Sequence, residues 1–121
     1  MIENLQSMYQ AAKDAGLTVV ACTIPDWDYK GIQERLVRRW RANKWGSPRG
    51  VYPYSAKQLE HQTLDVNAWI KSQKGTLVDV VVDTHGTGFE RSSDGIHRTA
   101  EGKKQMAKAV IREAGLSGTR L

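Results

Sequence analysis

The sequence places an aspartate and a histidine three residues apart, at Asp94 and His97, on a turn that contains Gly95. This spacing lets the carboxylate fold back toward the imidazole ring. A carboxylate in that position fixes the tautomer of the ring and stabilises the imidazolium that forms when the ring takes a proton. The pair is therefore a candidate catalytic dyad. The alternative is an Asx-type turn with a surface histidine just before a helix.

The neighbouring residues indicate a turn that leads into a helix. Gly95 admits backbone angles that other residues resist. Thr99 is placed to cap a helix N-terminus, and Glu101 lies in the first turn, where negative charge is favourable. The pair would then lie on a loop directly before the last helix of the chain.

The block Asp-Gly-Ile-His, followed by Arg-Thr-Ala-Glu-Gly over residues 94–102, resembles the last sequence block of the SGNH (GDSL-type) ester hydrolases. The resemblance implies a Ser-His-Asp triad in which Asp94 orients His97, the general base. It also implies a small ester as substrate and no cofactor. The order of predicted elements resembles the C-terminal half of that family from about residue 4 to 114, and the likeness is specific around 94–102.

Two family blocks have no counterpart in the chain. The Gly-Asp-Ser nucleophile segment is absent, and so is the Gly-x-Asn-Asp block, whose asparagine helps to form the oxyanion hole. No serine follows a strand in the kind of turn that exposes a nucleophile beside backbone donors. We therefore expect little or no esterase activity from the chain alone. The serines present are Ser7, Ser47, Ser55, Ser72, Ser92, Ser93 and Ser117.

Hydrophobic periodicity predicts helices alternating with two buried strands, at 17–24 and 76–82, and therefore an α/β fold. The near-continuous apolar run at 17–24 predicts a strand buried on both faces. Ser55 is predicted to open a helix through a capping box with Gln58, and 43–54 to form an irregular loop. The inward faces are predicted to carry Ile2, Leu5, Met8, Tyr9 and Ala12; Ile32, Leu36, Val37 and Trp40; Leu59, Thr63, Val66 and Ile70; and Met106, Ala107, Val110, Ile111 and Ala114.

The resemblance implies one partial domain over residues 1–121, with the three-layer, flavodoxin-like architecture of the family. The two strands would be the last two of five parallel strands. The 17–24 strand would then lack its inner neighbour and expose an apolar edge, which recruits partners. We expect a homo-oligomer, a dimer paired through residues 17–24, or completion by a separate N-terminal-half polypeptide.

Three further residues are candidates for a substrate pocket, because they follow the ends of predicted strands, where open α/β sheets place their ligand sites. They are Asp26, Trp27 and His85. Asp26 and Asp28 could together bind a cation, although a solvated turn is the favoured interpretation. The spacing of histidines and carboxylates matches no metal motif, and no metal site is expected.

A basic, aromatic stretch over residues 35–54 supports a different class of function. Arginines interleaved with aromatics can bind phosphates and stack on bases. We favour an amphipathic helix with a solvated basic face, so nucleic acid is not the expected partner. The alternative function is non-catalytic binding of nucleic acid or another anionic ligand by this segment. The residues concerned are Arg35, Arg38, Arg39, Trp40, Arg41, Lys44, Trp45 and Arg49.

Composition limits the remaining classes. The chain has 121 residues, 40% of them hydrophobic, which suits one domain with a modest core. It contains no apolar run of membrane-spanning length and no signal-peptide pattern, so we expect no membrane partner. A single cysteine, Cys22, excludes an intrachain disulfide and favours a cytoplasmic setting. The net charge of +5 favours anionic partners without requiring one.

Overall fold

The computed structural model describes residues 1–41 and 56–115, and it has a mixed α/β architecture. Within these two ranges, four helices and two strands follow one another broadly as the periodicity predicts. No helix in these two ranges is long and apolar enough to span a bilayer. The elements, numbered along the chain, are α1 Ile2–Asp14, β1 Val20–Cys22, α2 Tyr29–Arg41, α3 Ala56–Ser72, β2 Val80–Val82 and α4 Ala100–Ala114.

The two strands form a parallel sheet in the order β1-β2. Val20 lies opposite Val80, and Cys22 lies opposite Val82. Each strand is three residues long, so the predicted ranges 17–24 and 76–82 were too long. Side chains replace ladder bonds at the ends: the Asp79 carboxylate accepts from the Val19 N–H at 2.7 Å.

The prediction that the first strand is buried on both faces is wrong. Val19, Ala21 and Thr23 are buried, with 6%, 3% and 2% of their surface exposed. Val20, on the other face, is 38% exposed. The reason is that α4 packs against β2 rather than β1, so the Val20 and Cys22 side chains of β1 stay exposed.

The core lies between β1 and the helices α1 and α3. Its buried members are Val19, Ala21, Ile70 and Val78, and the Tyr9 and Trp69 rings stack nearby with centroids 6.1 Å apart. Most of the predicted inward residues of α1 and α3 are at least partly buried here. Among the described side chains, two predicted inward residues are exposed: Met8 on α1, at 64%, and Ala107 on α4, where Ala109 is buried instead. The side chains of Leu36, Val37 and Trp40 lie outside the described residues.

Two predicted helix boundaries are confirmed in detail. At the end of α1, Gly16 has φ +76, and the N–H groups of Gly16 and Leu17 donate to the carbonyls of Lys13 and Ala12 at 2.9 Å each. This is the Schellman pattern, which glycine favours. At the start of α4, Thr99 Oγ1 accepts from the Gly102 N–H at 3.1 Å. The predicted Ser55 cap and the 43–54 loop lie outside the described residues.

Candidate active site

Residues 90–99 form a hairpin-like loop between β2 and α4, and the predicted dyad lies at its tip. Arg91 and Arg98 form an antiparallel bridge at the stem. The Ser92 N–H donates to the His97 carbonyl at 2.8 Å, and the Gly95 N–H donates back to the Ser92 carbonyl at 3.1 Å. Gly95 has φ +75, a left-handed conformation that favours glycine. The loop therefore has a backbone hydrogen-bond frame of its own.

The Asp94 carboxylate contacts the His97 ring, as the spacing predicts. Its Oδ2 lies 2.5 Å from His97 Nδ1. Its Oδ1 accepts from the Ser92 hydroxyl at 2.7 Å and from the backbone N–H groups of Ile96 at 2.8 Å and His97 at 2.9 Å. The bond from Ile96 is that of an Asx turn. One carboxylate therefore fits both interpretations of the motif: Oδ1 forms the Asx turn, and Oδ2 contacts the imidazole.

The electrostatics keep the Asp94 carboxylate charged. Its contact with His97 holds the pKa of Asp94 well below its ordinary value, and the donors Ile96 and Ser92 lower that pKa further. A carboxylate at Nδ1 favours the tautomer that carries the ring proton there, which leaves Nε2 as the basic nitrogen. The His97 side chain is 78% exposed, so the ring is accessible to a reacting group. This arrangement can accept and return one proton.

Helix α2 braces the outer side of the turn. The Asp28 N–H donates to the Gly95 carbonyl at 2.8 Å, and the Arg35 guanidinium donates to the Asp94 carbonyl. A Cβ on Gly95 would lie 2.9 Å from the Asp28 Cβ, so the two backbones approach closely. Asp28 Oδ1 accepts from the Gly31 N–H at 3.1 Å, which makes Asp28 the N-cap of α2. Asp28 therefore caps a helix, a role that neither the cation-site nor the solvated-turn interpretation predicted.

Arg98, directly after the histidine, anchors the loop from below. Its side chain is only 6% exposed. It donates to the Asp26 carbonyl at 2.7 Å and to the Phe89 carbonyl at 3.2 Å. Sequence reasoning missed this residue, because nothing in the local spacing distinguishes a buried arginine from an exposed one. An arginine between the histidine and the Thr99 cap, where the chain turns inward, was the only available signal.

Asp26, a predicted pocket residue, is the centre of a small ionic cluster. Its carboxylate accepts from the Gly86 N–H at 3.0 Å and lies 3.6 Å from Arg91 and 3.5 Å from Arg98. Burial raises the pKa of Asp26, but the Gly86 hydrogen bond and the two guanidinium charges outweigh it, so the net pKa is lowered. Asp26 also lines a polar cavity of about 460 Å³ beside the hairpin, together with Ser93.

The other two pocket candidates lie elsewhere. Trp27 is 37% exposed and lines an apolar cavity of about 470 Å³, with Tyr29 and Leu59 among its neighbours. His85 is partly buried, and within the described part of the chain its Nε2 is buried without a hydrogen-bond partner. In the described part of the chain, Asp26 and Trp27 therefore line two different cavities, and His85 lines neither of them.

The basic segment proposed for nucleic acid is only partly described. Arg35 is partly buried and braces the Asp94 turn, whereas Arg38 is exposed. The side chains of Arg39, Trp40 and Arg41, and all of Lys44, Trp45 and Arg49, lie outside the described residues. Across residues 1–41 and 56–115, no group of three or more His, Cys, Asp or Glu side chains is placed to hold a metal ion.

The serines of the described ranges do not complete a triad. Ser92 donates its hydroxyl to the Asp94 carboxylate, not to the imidazole. Ser72 donates to the Trp69 carbonyl on α3 at 2.6 Å. Ser47, Ser55 and Ser117 lie outside these ranges. Within the described ranges, the site therefore holds an oriented imidazole to which no serine hydroxyl is hydrogen-bonded.

Comparison of this chain with protein-family models, with curated proteins and with solved structures gives no match.

Proposed function

We propose that this chain is the carboxylate–imidazole part of an SGNH-type ester hydrolase, with Asp94 orienting His97 as the general base. The contact of 2.5 Å between Asp94 Oδ2 and His97 Nδ1 is the observation that carries the proposal. The exposure of the ring supports it, because a base must reach the proton it removes. Ester hydrolysis is proposed as the reaction because residues 94–102 resemble the last sequence block of the SGNH hydrolases.

The proposed chemistry is serine acyl transfer to water. His97 Nε2 takes the proton of a serine hydroxyl as the serine attacks the ester carbonyl, and then returns it to the departing alcohol. Water next attacks the acyl-serine with the same base, which releases the acid. No cofactor takes part. The serine and the oxyanion donors are supplied by another polypeptide segment.

The proposed architecture follows from the same resemblance. The β1-β2 pair would belong to a three-layer, flavodoxin-like sheet of parallel strands that flanking helices cover. A second copy of the chain, or a separate N-terminal-half polypeptide, would complete this sheet at the 17–24 edge. Only the second of these brings a Gly-Asp-Ser segment, so hydrolysis requires the separate polypeptide.

The experiment is hydrolysis of a short-chain aryl ester by the chain alone and by the chain mixed with an N-terminal polypeptide that carries the Gly-Asp-Ser and Gly-x-Asn-Asp blocks. We expect turnover in the mixture only. His97→Ala should lower it by roughly 10²- to 10⁴-fold, the usual contribution of a general base. His61→Ala is the matched control, because His61 is 75% exposed and lies 3.6 Å from Asp65 on α3.

Two results would contradict the proposal. One is a mixture that hydrolyses the ester no faster than its separate components. The other is turnover that His97→Ala and His61→Ala affect equally. Turnover by the chain alone that disappears in His97→Ala would retain the base but place the nucleophile within this chain.

A further inference from the structure

Within residues 1–41 and 56–115, the hydrogen-bond directions of β1 leave one of its edges open. The Val19 carbonyl accepts from the N–H groups of Asp79 and Val80 at 2.9 and 3.2 Å, and the Thr23 N–H donates to the Val82 carbonyl at 3.0 Å. Odd-numbered residues therefore direct their backbone groups at β2. Because these groups alternate along a strand, those of Val20 and Cys22 point to the opposite edge.

This open edge is bounded on both sides. At its carboxyl end, the Asn67 side-chain amide pairs with both backbone groups of Ile24: it accepts from the N–H at 2.7 Å and donates to the carbonyl at 3.0 Å. At the other end, the Leu17 N–H is used by the Ala12 carbonyl. The outward row consists of Thr18, Val20 and Cys22.

The edge also lacks the features that keep strands from pairing with other chains. Natural edges are protected by charges, proline or bulges. The segment from residue 17 to 25 contains no charged residue, and its only proline, Pro25, lies beyond the row. The apolar side chains of the segment are exposed: Val20 is 38% exposed and Leu17 61%.

From these observations we propose that a second copy of the chain pairs antiparallel with the outer edge of β1, about a two-fold axis at Val20. In this register Val20 lies opposite the partner's Val20, and Thr18 lies opposite the partner's Cys22. All three residues of the row then exchange backbone hydrogen bonds. A register centred one residue further along would require Ile24, whose groups Asn67 already holds.

The occupant is a second copy because the edge is self-complementary. The row is symmetric about Val20, so one two-fold axis pairs each outward group with its counterpart. The contact carries no charge, which matters in a chain with a net charge of +5, because any two copies repel elsewhere. An isologous contact also occupies the outer β1 edge of both copies at once, and therefore gives a closed dimer rather than a filament.

The first test is the mass in sedimentation equilibrium at micromolar concentration. We expect twice the chain mass of 13.5 kDa. Val20→Lys should raise the dissociation constant at least roughly tenfold, because it places two like charges directly opposite each other. Met8→Lys adds the same charge at an exposed site on α1 and should leave the mass unchanged.

The second test does not depend on the folding of Val20→Lys. In a Cys22→Ser background, Val20→Cys should form a disulfide dimer on oxidation, because opposed residues of a hydrogen-bonded pair lie about 5.5 Å apart at Cα. Leu17→Cys is the control. In the proposed register its two copies lie about 20 Å apart along the strands.

A single-chain mass for the wild type would overturn the inference and leave the edge to a strand of a different polypeptide. Equal cross-linking of the two cysteine variants would overturn it too, as would a dimer that survives Val20→Lys unchanged. The inference does not rest on the hydrolase proposal: it concerns the chain alone, and the N-terminal polypeptide of that proposal would have to displace the second copy from the same edge. Mass and cross-linking report on the edge, whereas ester turnover reports on His97, so either can fail alone.

Discussion

At the scale of single residues, Asp94 has two separate tasks, one for each carboxylate oxygen. Oδ1 organises the turn by accepting from Ser92, Ile96 and His97, and Oδ2 orients the imidazole. The first task alone would suit an ordinary surface turn. The second is the one that chemistry requires, so a substitution that separates the two is the informative one.

Asp94→Asn should separate them. The amide oxygen can take the place of Oδ1, because the backbone donors of Ile96 and His97 require an acceptor there. The amide nitrogen then faces His97 Nδ1 as a donor, which forces the ring proton onto Nε2. Nε2 is then no longer the basic nitrogen of the ring. We expect ¹⁵N NMR of the neutral ring to show the Nδ1–H tautomer in the wild type and the Nε2–H tautomer in the variant.

The matched control is Asp65→Asn beside His61, which should leave the His97 resonances where they are. Backbone chemical shifts of Ile96 and Gly95 should stay close to their wild-type values in Asp94→Asn, because the turn retains its acceptor. Identical His97 tautomers in wild type and Asp94→Asn would show that the carboxylate does not orient the ring.

At the scale of elements, the hairpin is held against the first turn of α4. Gly102 lies at this contact and is buried. A Cβ built on it would overlap the Glu90 carbonyl oxygen and lie 3.1 Å from the Arg98 Cβ. The hairpin stem and the helix can approach this closely only because residue 102 has no side chain. Gly102 of the 94–102 block is therefore needed for packing, independently of the family resemblance that the block carries.

Gly102→Ala should therefore destabilise the protein, although the same change in an ordinary helix stabilises it. The helix gains up to about 1 kcal/mol from alanine, whereas forcing a methyl group into a packed contact costs about 1–3 kcal/mol. The Glu90 carbonyl also accepts from the Thr99 N–H at 3.3 Å, which holds it at this contact. We therefore expect the packing term to exceed the helical gain. Chemical denaturation measures the difference, with the exposed Lys103→Ala as control. A more stable Gly102→Ala would show that the hairpin does not press on α4.

The sequence predicted contacts between residues close in the chain well, and contacts between residues far apart in the chain poorly. The Asp94–His97 contact and the Thr99 cap depend on residues three apart, so their spacing was enough. Arg35 and Arg98 reach partners 59 and 72 residues away, and no local pattern encodes such contacts. The burial of β1 was mispredicted for a related reason: an apolar run does not reveal whether a helix covers each face.

At the scale of the whole molecule, carboxylates connect the elements to one another. Asp79 joins β2 to β1 and to α1, through the Val19 N–H at 2.7 Å and Lys13 at 2.6 Å. Asp83 joins β2 to α3 and to the end of β1, through Lys71 at 2.9 Å and Thr23 at 3.0 Å. Asp26 and Asp94 do the same for the loops. With a core formed on a two-stranded sheet, these polar links contribute to a single arrangement of the elements.

The folded structure therefore should lose stability in acid through these four carboxylates. The pKa of Asp79 is lowered by its hydrogen bond from Lys13 and then by that from Val19, and the pKa values of Asp26, Asp83 and Asp94 are lowered as well. A group with a lowered folded pKa stabilises the fold above its unfolded pKa, about 3.9 for aspartate. That stabilisation is lost as pH falls through the folded value. We expect the free energy of unfolding to fall steadily below about pH 4.

Asp79→Asn shows whether this acid dependence comes from the named links. The variant should be less stable than the wild type at pH 7, and the gap should narrow as the pH falls, because a neutral side chain has no charge to lose. Lys13→Gln should behave in the same way, and the double variant should add little, because both changes break one pair. Urea denaturation from pH 7 to pH 2 gives the curves. A gap that stays constant across this range would mean that the Asp79 charge, and with it the α1–β2 link, does not contribute to folding stability.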